Sequence, residues 1–381
     1  MSELAVIWDD RFTDYRLGPD HPFTPESRKL AVELFRATVA SGEVPVTWID
    51  RVEPASREAL ASFHRPEYLD FVDAASRAEV PPLLDGGDTP AFPGCYASAA
   101  RVVAGTERGL ESVLAEGRPA FHPAGGFHHA RPDRASGFCI FNDVAIAVGR
   151  LARAGRRVAY IDIDAHHGDG VMYGFYDSGR VLDIDFHQDG RTLFPGTGYT
   201  GETGRGDGAG LKVNVPFPPG SGDAELTTVF GRVVPPLLRS FRPEVIVLQH
   251  GVDGHVGDPL TALQYTTRGY DEVDRTILAL AREVSVGRLL VTGGGGYDAA
   301  SVSRVLARTA LTLSGRPLPM AGDPLPEPWR ADFWERCGTQ APATWGEGPA
   351  PERRTAGPER IDKLVLELEE ELGQKFPRPD Q

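Results

Sequence analysis

The chain has 381 residues, 41% of them hydrophobic, enough to bury a large core; one big α/β domain with a modest C-terminal extension fits as well as two domains do. Its formal net charge of −14, from 54 acidic residues against 40 Lys and Arg, argues against direct binding of a nucleic-acid phosphate backbone. Three widely spaced cysteines, Cys95, Cys139 and Cys337, offer neither a disulfide framework nor a zinc-knuckle spacing, and point to a reducing, cytoplasmic setting.

The run from Met1 to Asp9 has no basic flank before its apolar residues and reads as a first strand rather than a signal peptide. No apolar run approaches the roughly 20 residues of a membrane span. Strand-like runs recur at 4–8, 44–49, 118–122, 157–163, 181–186, 244–249 and 288–292. Helical patterns lie between them, near 25–40, 56–76, 95–116, 142–154, 223–239, 269–283 and 298–313. Several strand runs are apolar throughout, which suits parallel strands covered on both faces. The order predicts an α/β fold of three layers, a mostly parallel central sheet with helices on both faces. The Gly- and Pro-rich span from Phe186 to Pro219 predicts a long ordered surface loop. From Pro317 to about Gly357 no periodicity is visible. A final helix is expected from Pro358 to Leu372, with Ile361, Leu364, Val365, Leu368 and Leu372 on its apolar stripe. We therefore divide the chain into a catalytic unit, 1–320, and an extension, 321–381, carrying a docked helix.

In such folds functional groups gather in the loops beyond the carboxyl ends of strands. Four polar clusters stand there: 122–129, 164–170, 249–255 and 293–297. Asp164 and His166 lie two apart at the end of the strand 157–163, a spacing that suits neighbouring ligands of a divalent metal. The third ligand should come from a neighbouring strand end, and Asp253 is the choice. Two carboxylates and one imidazole hold zinc with open positions, and would also admit Fe(II) or another first-row ion. Asp162, a carboxylate at a buried strand end, needs donors or a cation. It either orients a histidine or shares in a monovalent-cation site.

His128 and His129 are adjacent after a glycine turn and serve more naturally as two proton-transfer groups than as two ligands of one ion. If Asp162 and Asp169 each accept a hydrogen bond from one imidazole, the two pKa values separate into a base and an acid or electrostatic partner. Four glycines lead into Tyr297, whose hydroxyl can donate to an oxygen as negative charge develops on it. A phosphate loop is disfavoured, because neither the Walker spacing nor its Lys-Ser/Thr ending is present.

At these residues the chain resembles the histone deacetylase superfamily, especially its bacterial acetoin-utilisation type, over roughly residues 8–315. The motifs are His21-Pro22, Gly125 through His129, Ser136 through Asp143, Asp162 through Gly170, Phe194 through Gly198, Gly251-Val252-Asp253, Asp258-Pro259-Leu260 and Gly293 through Tyr297. The resemblance implies an arginase/deacetylase-like fold and hydrolysis of Nε-acetyl-lysine. Asp164, His166 and Asp253 match its metal ligands. His128 and His129 match its histidine pair, with Asp162 and Asp169 as their partners, and Tyr297 its carbonyl-polarising tyrosine. Phe138 and Phe194 resemble the walls of the acyl-lysine channel, beside Gly137, and Asp88 the rim carboxylate that holds substrate backbone amides. A structural potassium site is implied at Asp162, Asp164 and His166, with help near Asp185 and Phe186. Asp185 stands where a serine is typical, and Phe127 where many relatives have another residue. The implied partner is an acetylated protein or peptide, an acyl-CoA synthetase being one candidate, with no nucleic acid or membrane. The alternatives are an acetylpolyamine amidohydrolase with the same chemistry, a ureohydrolase, or a noncatalytic acyl-lysine-binding protein.

Overall fold

A computed structural model describes residues 4–39, 46–347 and 366. Strand parity decides how its layers assemble. In β4 (Val158–Asp162), Ala159 and Ile161 point into one apolar cluster and Val158 and Tyr160 into another. The same split recurs in β7 (Val245–Gln249), where Ile246 and Leu248 oppose Val245 and Val247. Residues that alternate between two buried faces require cover on both sides, which is why these strands read as continuous apolar runs.

The remaining strands are β1 (Leu4–Ile7), β2 (Val46–Ile49), β3 (Ala120–His122), β5 (Val181–Gln188), β6 (Lys212–Phe217) and β8 (Leu289–Thr292). All pair in parallel in one eight-stranded sheet of order β2-β1-β3-β8-β7-β4-β5-β6. One face is covered by α1 (Glu26–Val39), α7 (Asp223–Phe241), α8 (Thr267–Val284) and α9 (Ala299–Leu313), with α10 (Glu327–Cys337) against α1. The other is covered by α3 (Pro66–Ala75), α4 (Cys95–Glu116) and α5 (Asp143–Arg153), with the short α2 (Arg57–Ala61) and α6 (Asp169–Gly174) at its margin. The three-layer α/β expectation holds. Among the described residues no helix is long and apolar enough to cross a membrane.

Three expectations need correction. The helix expected at 56–76 is two helices, because Pro66 opens α3 and holds Arg65 in an extended conformation, ψ 142°. The loop expected from Phe186 to Pro219 contains β6, whose Val213, Val215 and Phe217 face the core. Its brevity, flanking glycines and Pro216 hide it, and a proline is tolerable there because β6 is an edge strand. The aperiodic stretch after Pro317 contains α10, of which only Trp329 and Phe333 are buried, a stripe too narrow to show a period. Leu325, Trp329, Phe333, Ala341 and Trp345 nevertheless join the same apolar cluster as β5 to β8, and the Trp329 indole donates to the Leu30 carbonyl, 2.9 Å. The helix expected from Pro358 to Leu372 falls outside the described residues, apart from the exposed Leu366.

Candidate metal and proton-transfer site

The strands β3, β8, β7 and β4 are consecutive neighbours in the sheet, so the loops that follow them meet at one rim. Each delivers one part of the site: the histidine pair after β3, Tyr297 after β8, Asp253 after β7 and Asp162 through Asp169 at the end of β4.

Asp164, His166 and Asp253 are buried, and their ligand atoms lie within 4.8 Å of one another. His166 Nδ1 faces Asp253 Oδ2 at 2.8 Å and Asp164 Oδ1 at 3.3 Å. Backbone amides fix the carboxylates: Gly295 N–H donates to Asp164 Oδ2, 2.6 Å, and Ala165 N–H to Asp253 Oδ1, 2.7 Å. A Cβ on Gly251 would strike Asp164, and one on Gly295 would strike Asp253, so only glycine lets these loops close round the carboxylates. Burial and then the charge of Asp164 push the Asp253 carboxyl up to about 8. Burial acts on Asp164 too, but His128 and the hydrogen bonds of His166 outweigh it and hold that carboxyl well below its usual range. Two carboxylates forced together beside one imidazole nitrogen fit a divalent cation, which would replace the proton they otherwise share.

The paired histidines have the partners expected of them. His128 Nδ1 is 2.8 Å from Asp162 Oδ2, His129 Nδ1 is 2.8 Å from Asp169 Oδ1, and the two Nε2 atoms are 3.0 Å apart. Burial would lower the pKa of His128, but the Asp162 and Asp164 charges outweigh it and hold the imidazole at about 10. Burial and then the His128 charge push His129 down to about 4, against the pull of Asp169. Burial also raises the Asp162 carboxyl. We place the shared proton on His128, because the Tyr160 hydroxyl and the Asp164 N–H also donate to Asp162 and favour its ionised form. The environments therefore separate a protonated His128 from a neutral His129.

Tyr297, Phe138 and Phe194 surround this group. The Tyr297 ring meets Phe138 edge-on at 5.7 Å and His166 at 6.3 Å, while Phe194 stands against His129 at 5.1 Å. Phe138 has φ +68°, rare for a bulky residue, and is pinned in it by Thr89 Oγ1 at its N–H and by the Tyr15 hydroxyl at its carbonyl. Gly137, φ +53°, precedes it, and a Cβ there would collide with the His129 ring. A cavity at this point is lined by Phe23, Phe127, His128, His129, Phe138 and Tyr297. Asp88 is exposed in a turn organised by Asp85, whose Oδ1 accepts the N–H groups of Gly87, Asp88 and Thr89. The Asp88 carbonyl faces His21 Nε2 at 3.2 Å, and the His21 ring lies 4.4 Å from Phe138, which places the turn beside the mouth.

The residues of the implied potassium site also stand together at the ends of β4 and β5. Asp162 Oδ1 accepts the Asp164 N–H, 3.0 Å, and Asp185 uses both oxygens, accepting from Gly168 N–H at 2.7 Å and facing His187 Nδ1 at 2.8 Å. The Phe186 side chain is buried in the core, 5.2 Å from Phe230.

Several positioning residues escape a linear reading. Asn142 and Asp143, at the start of α5, brace the histidine pair from both sides. Asp143 accepts the N–H groups of Gly126 and Phe127, and Asn142 Nδ2 donates to the carbonyls of His128 and Ala130. The Arg28 guanidinium, buried in α1, donates to the Gly294 and Gly296 carbonyls and fixes the glycine loop before Tyr297. Asp258 holds that loop by accepting the Tyr297 N–H, 2.8 Å. The sequence signal for Asn142, Asp143 and Asp258 was their membership of motifs; Arg28 lies in none of them, and its partners are more than 260 residues away.

His64 supports the Asn142 brace and carries a pH prediction. Its Nε2 accepts the Asn142 N–H, 2.9 Å, and its Nδ1 faces the Arg131 carbonyl, 3.0 Å, so the neutral tautomer with the proton on Nδ1 satisfies both. Burial lowers its pKa to about 4. Above the ordinary imidazole value near 6.5, folded and unfolded states carry the same charge. As the pH falls from there to about 4, the unfolded chain takes a proton that the folded protein refuses, and stability drops by roughly 3 kcal/mol. His64→Gln retains an acceptor and a donor but does not titrate. Urea unfolding across this window is expected to show a flatter loss of stability in the variant, and parallel curves would contradict it.

Residues 21–313 match a family model described as a histone deacetylase domain. The chain is 34% identical over 360 residues to the acetoin utilization protein AcuC of Bacillus subtilis, covering 91% of this chain and 90% of that relative. It is 33% identical over 355 residues to AcuC of Staphylococcus xylosus, covering 90% of each. The matched span includes all four strand-end loops, and the parallel sheet between two helix layers is the arginase/deacetylase-like architecture of that domain. From the convergence of sequence match, fold and site geometry, the chain belongs to the histone deacetylase family.

Proposed function

We propose that the protein is a zinc-dependent protein lysine deacetylase that hydrolyses Nε-acetyl-lysine to lysine and acetate in the cytoplasm. Family membership supports deacetylation and a divalent metal. The observation that carries the finer reading is the pair His128–Asp162 and His129–Asp169 beside the Asp164, His166 and Asp253 cluster, with His128, His129, Asp164 and Tyr297 lining one cavity.

Asp164, His166 and Asp253 would hold the ion, which when bound supplies Lewis acidity towards the amide carbonyl and water. The lysine stem lies between the Phe138 and Phe194 rings, which contact methylenes without requiring charge. Gly137 gives it room, and Asp88 accepts hydrogen bonds from substrate backbone amides at the mouth. His129, neutral and oriented by Asp169, takes a proton from the attacking water. Tyr297 donates a hydrogen bond to the carbonyl oxygen as it becomes negative. His129, now an imidazolium, returns the proton to the departing lysine nitrogen, while His128 stays protonated and stabilises negative charge. A potassium ion at Asp162, Asp164, His166, Asp185 and Phe186 would stiffen the base of the site, and an acetylated acyl-CoA synthetase is one protein substrate this reading admits.

The test is removal of bound metal with a chelator, reconstitution with Zn²⁺ or Fe²⁺, and turnover of a panel that varies acyl length and amine carrier. The expected result is activity lost with the metal, restored by Zn²⁺, and higher on an acetyl-lysine peptide than on acetylspermidine. Preference for acetylspermidine would replace the protein substrate with a polyamine. Acyl-lysine binding without turnover in metal-replete protein would overturn the enzymatic reading.

A further inference from the structure

Glu347 lies outside the span matched by the deacetylase domain, yet it reaches the loop that carries Asp253. Its Oε1 accepts from His255 Nε2 at 2.9 Å, and its Oε2 accepts the Thr267 N–H at 3.1 Å and the Thr267 hydroxyl at 3.0 Å. Arg304 adds a cation at 3.5 Å from Oε1 and donates to the Gly346 carbonyl at 2.8 Å. One carboxylate thus joins the C-terminal extension, the first turn of α8, the middle of α9 and the loop after β7.

The loop it grips is a tight unit. His255 N–H donates to the Val252 carbonyl, Asp258 N–H to the His255 carbonyl, and Tyr265 N–H to the Gly254 carbonyl. His255 Nδ1 accepts the Gly257 N–H, 3.0 Å, so the ring proton sits on Nε2 and points at Glu347. Asp253 is two residues before His255, and Asp258, which holds the Tyr297 N–H, three residues after it. Without the carboxylate, the His255 N–H and the Arg304 guanidinium, both almost fully buried, lose a partner. The ring must then turn to find another, and the short hydrogen bonds of the loop carry that shift towards Asp253. Glu347 is itself held in register, because Trp345 N–H donates to the Asp323 carbonyl, Gly346 N–H donates to the Ala321 carbonyl, and the Trp345 side chain is buried.

We propose that Glu347 is a positioning residue for the metal site: through His255 it sets the loop that presents Asp253, so that the extension after the deacetylase domain helps to fix metal affinity. The proposal rests on Asp253 being a metal ligand.

Co²⁺ titration of the full-length, metal-free protein tests it, with the ligand-field absorption spectrum and the dissociation constant as readouts and the Tm of the metal-free protein as control. Glu347→Gln keeps the shape but places an NH₂ against either His255 or Thr267. It is expected to weaken Co²⁺ binding about 10- to 100-fold, the range typical of groups that orient a ligand, and to alter the spectrum. Glu347→Asp keeps two acceptor oxygens, is expected to recover part of the affinity, and serves as the variant to read if Glu347→Gln does not fold. An affinity and spectrum equal to wild type, with only the Tm lowered, would reduce Glu347 to a structural tie and overturn the proposal. If the wild-type protein itself binds no Co²⁺, the metal-site assignment fails first, an outcome distinct from failure at Glu347.

Discussion

Replacing Tyr297 with phenylalanine is expected to lower kcat/KM on an acetyl-lysine peptide by about 10²- to 10³-fold, the effect typical of removing one donor to a developing oxyanion. The substitution deletes one oxygen and leaves the ring that meets Phe138 and His166. Burial raises the phenol pKa well above its ordinary value, so the hydroxyl is a proton donor at neutral pH. Its contribution grows as the carbonyl oxygen acquires charge, so the loss should fall on kcat more than on KM. Arg28 and Asp258 hold the backbone of the loop independently of the hydroxyl, and the Tm should change little. Steady-state kinetics with a melting control decides the matter, and a kcat/KM near that of wild type would remove Tyr297 from the oxyanion role.

The separation between what could and could not be read from the chain follows the range of the interactions. Asp162, Asp164, His166 and Asp169 sit within one strand end, and strand parity with ligand spacing is local information. Asp253, His128, His129 and Tyr297 were recognisable because each also follows a buried strand. That β3, β8, β7 and β4 are consecutive neighbours is a property of topology, visible only in the folded sheet. The misread elements are those whose burial is sparse or interrupted: the break before Pro66, the edge strand around Pro216 and the two-residue stripe of α10. Arg28 lies in an ordinary helical pattern, and its partners Gly294 and Gly296 are more than 260 residues away. Glu347 lies in a Pro-rich stretch without periodicity and meets His255 across 92 positions. Long-range polar partners leave no mark on local composition, whereas apolar periodicity does.

The unequal environments of the paired histidines predict unequal kinetics. His129→Ala is expected to lower kcat by about 10²- to 10⁴-fold, the usual contribution of a positioned general acid and base. In the wild-type protein His129, depressed by burial and by the neighbouring His128 charge, is unprotonated at neutral pH. The acid limb of kcat/KM should therefore lie below the ordinary imidazole range, with a plateau through neutrality. Burial opposes the His128 proton but the Asp162 carboxylate at Nδ1 holds it, so its loss belongs to the alkaline side. Asp169→Asn tests the assignment without removing either imidazole. Asp169 favours the charged form of His129, so neutralising it destabilises the imidazolium, lowers its pKa further and moves the acid limb to lower pH. The same change weakens the base, and the plateau should fall. Asp162→Asn acts on the other partner: it removes the anion that keeps His128 protonated and should bring the alkaline limb down towards neutrality. Full pH profiles of the two variants therefore move opposite limbs. An acid limb that follows Asp162 instead of Asp169 would exchange the roles of His128 and His129.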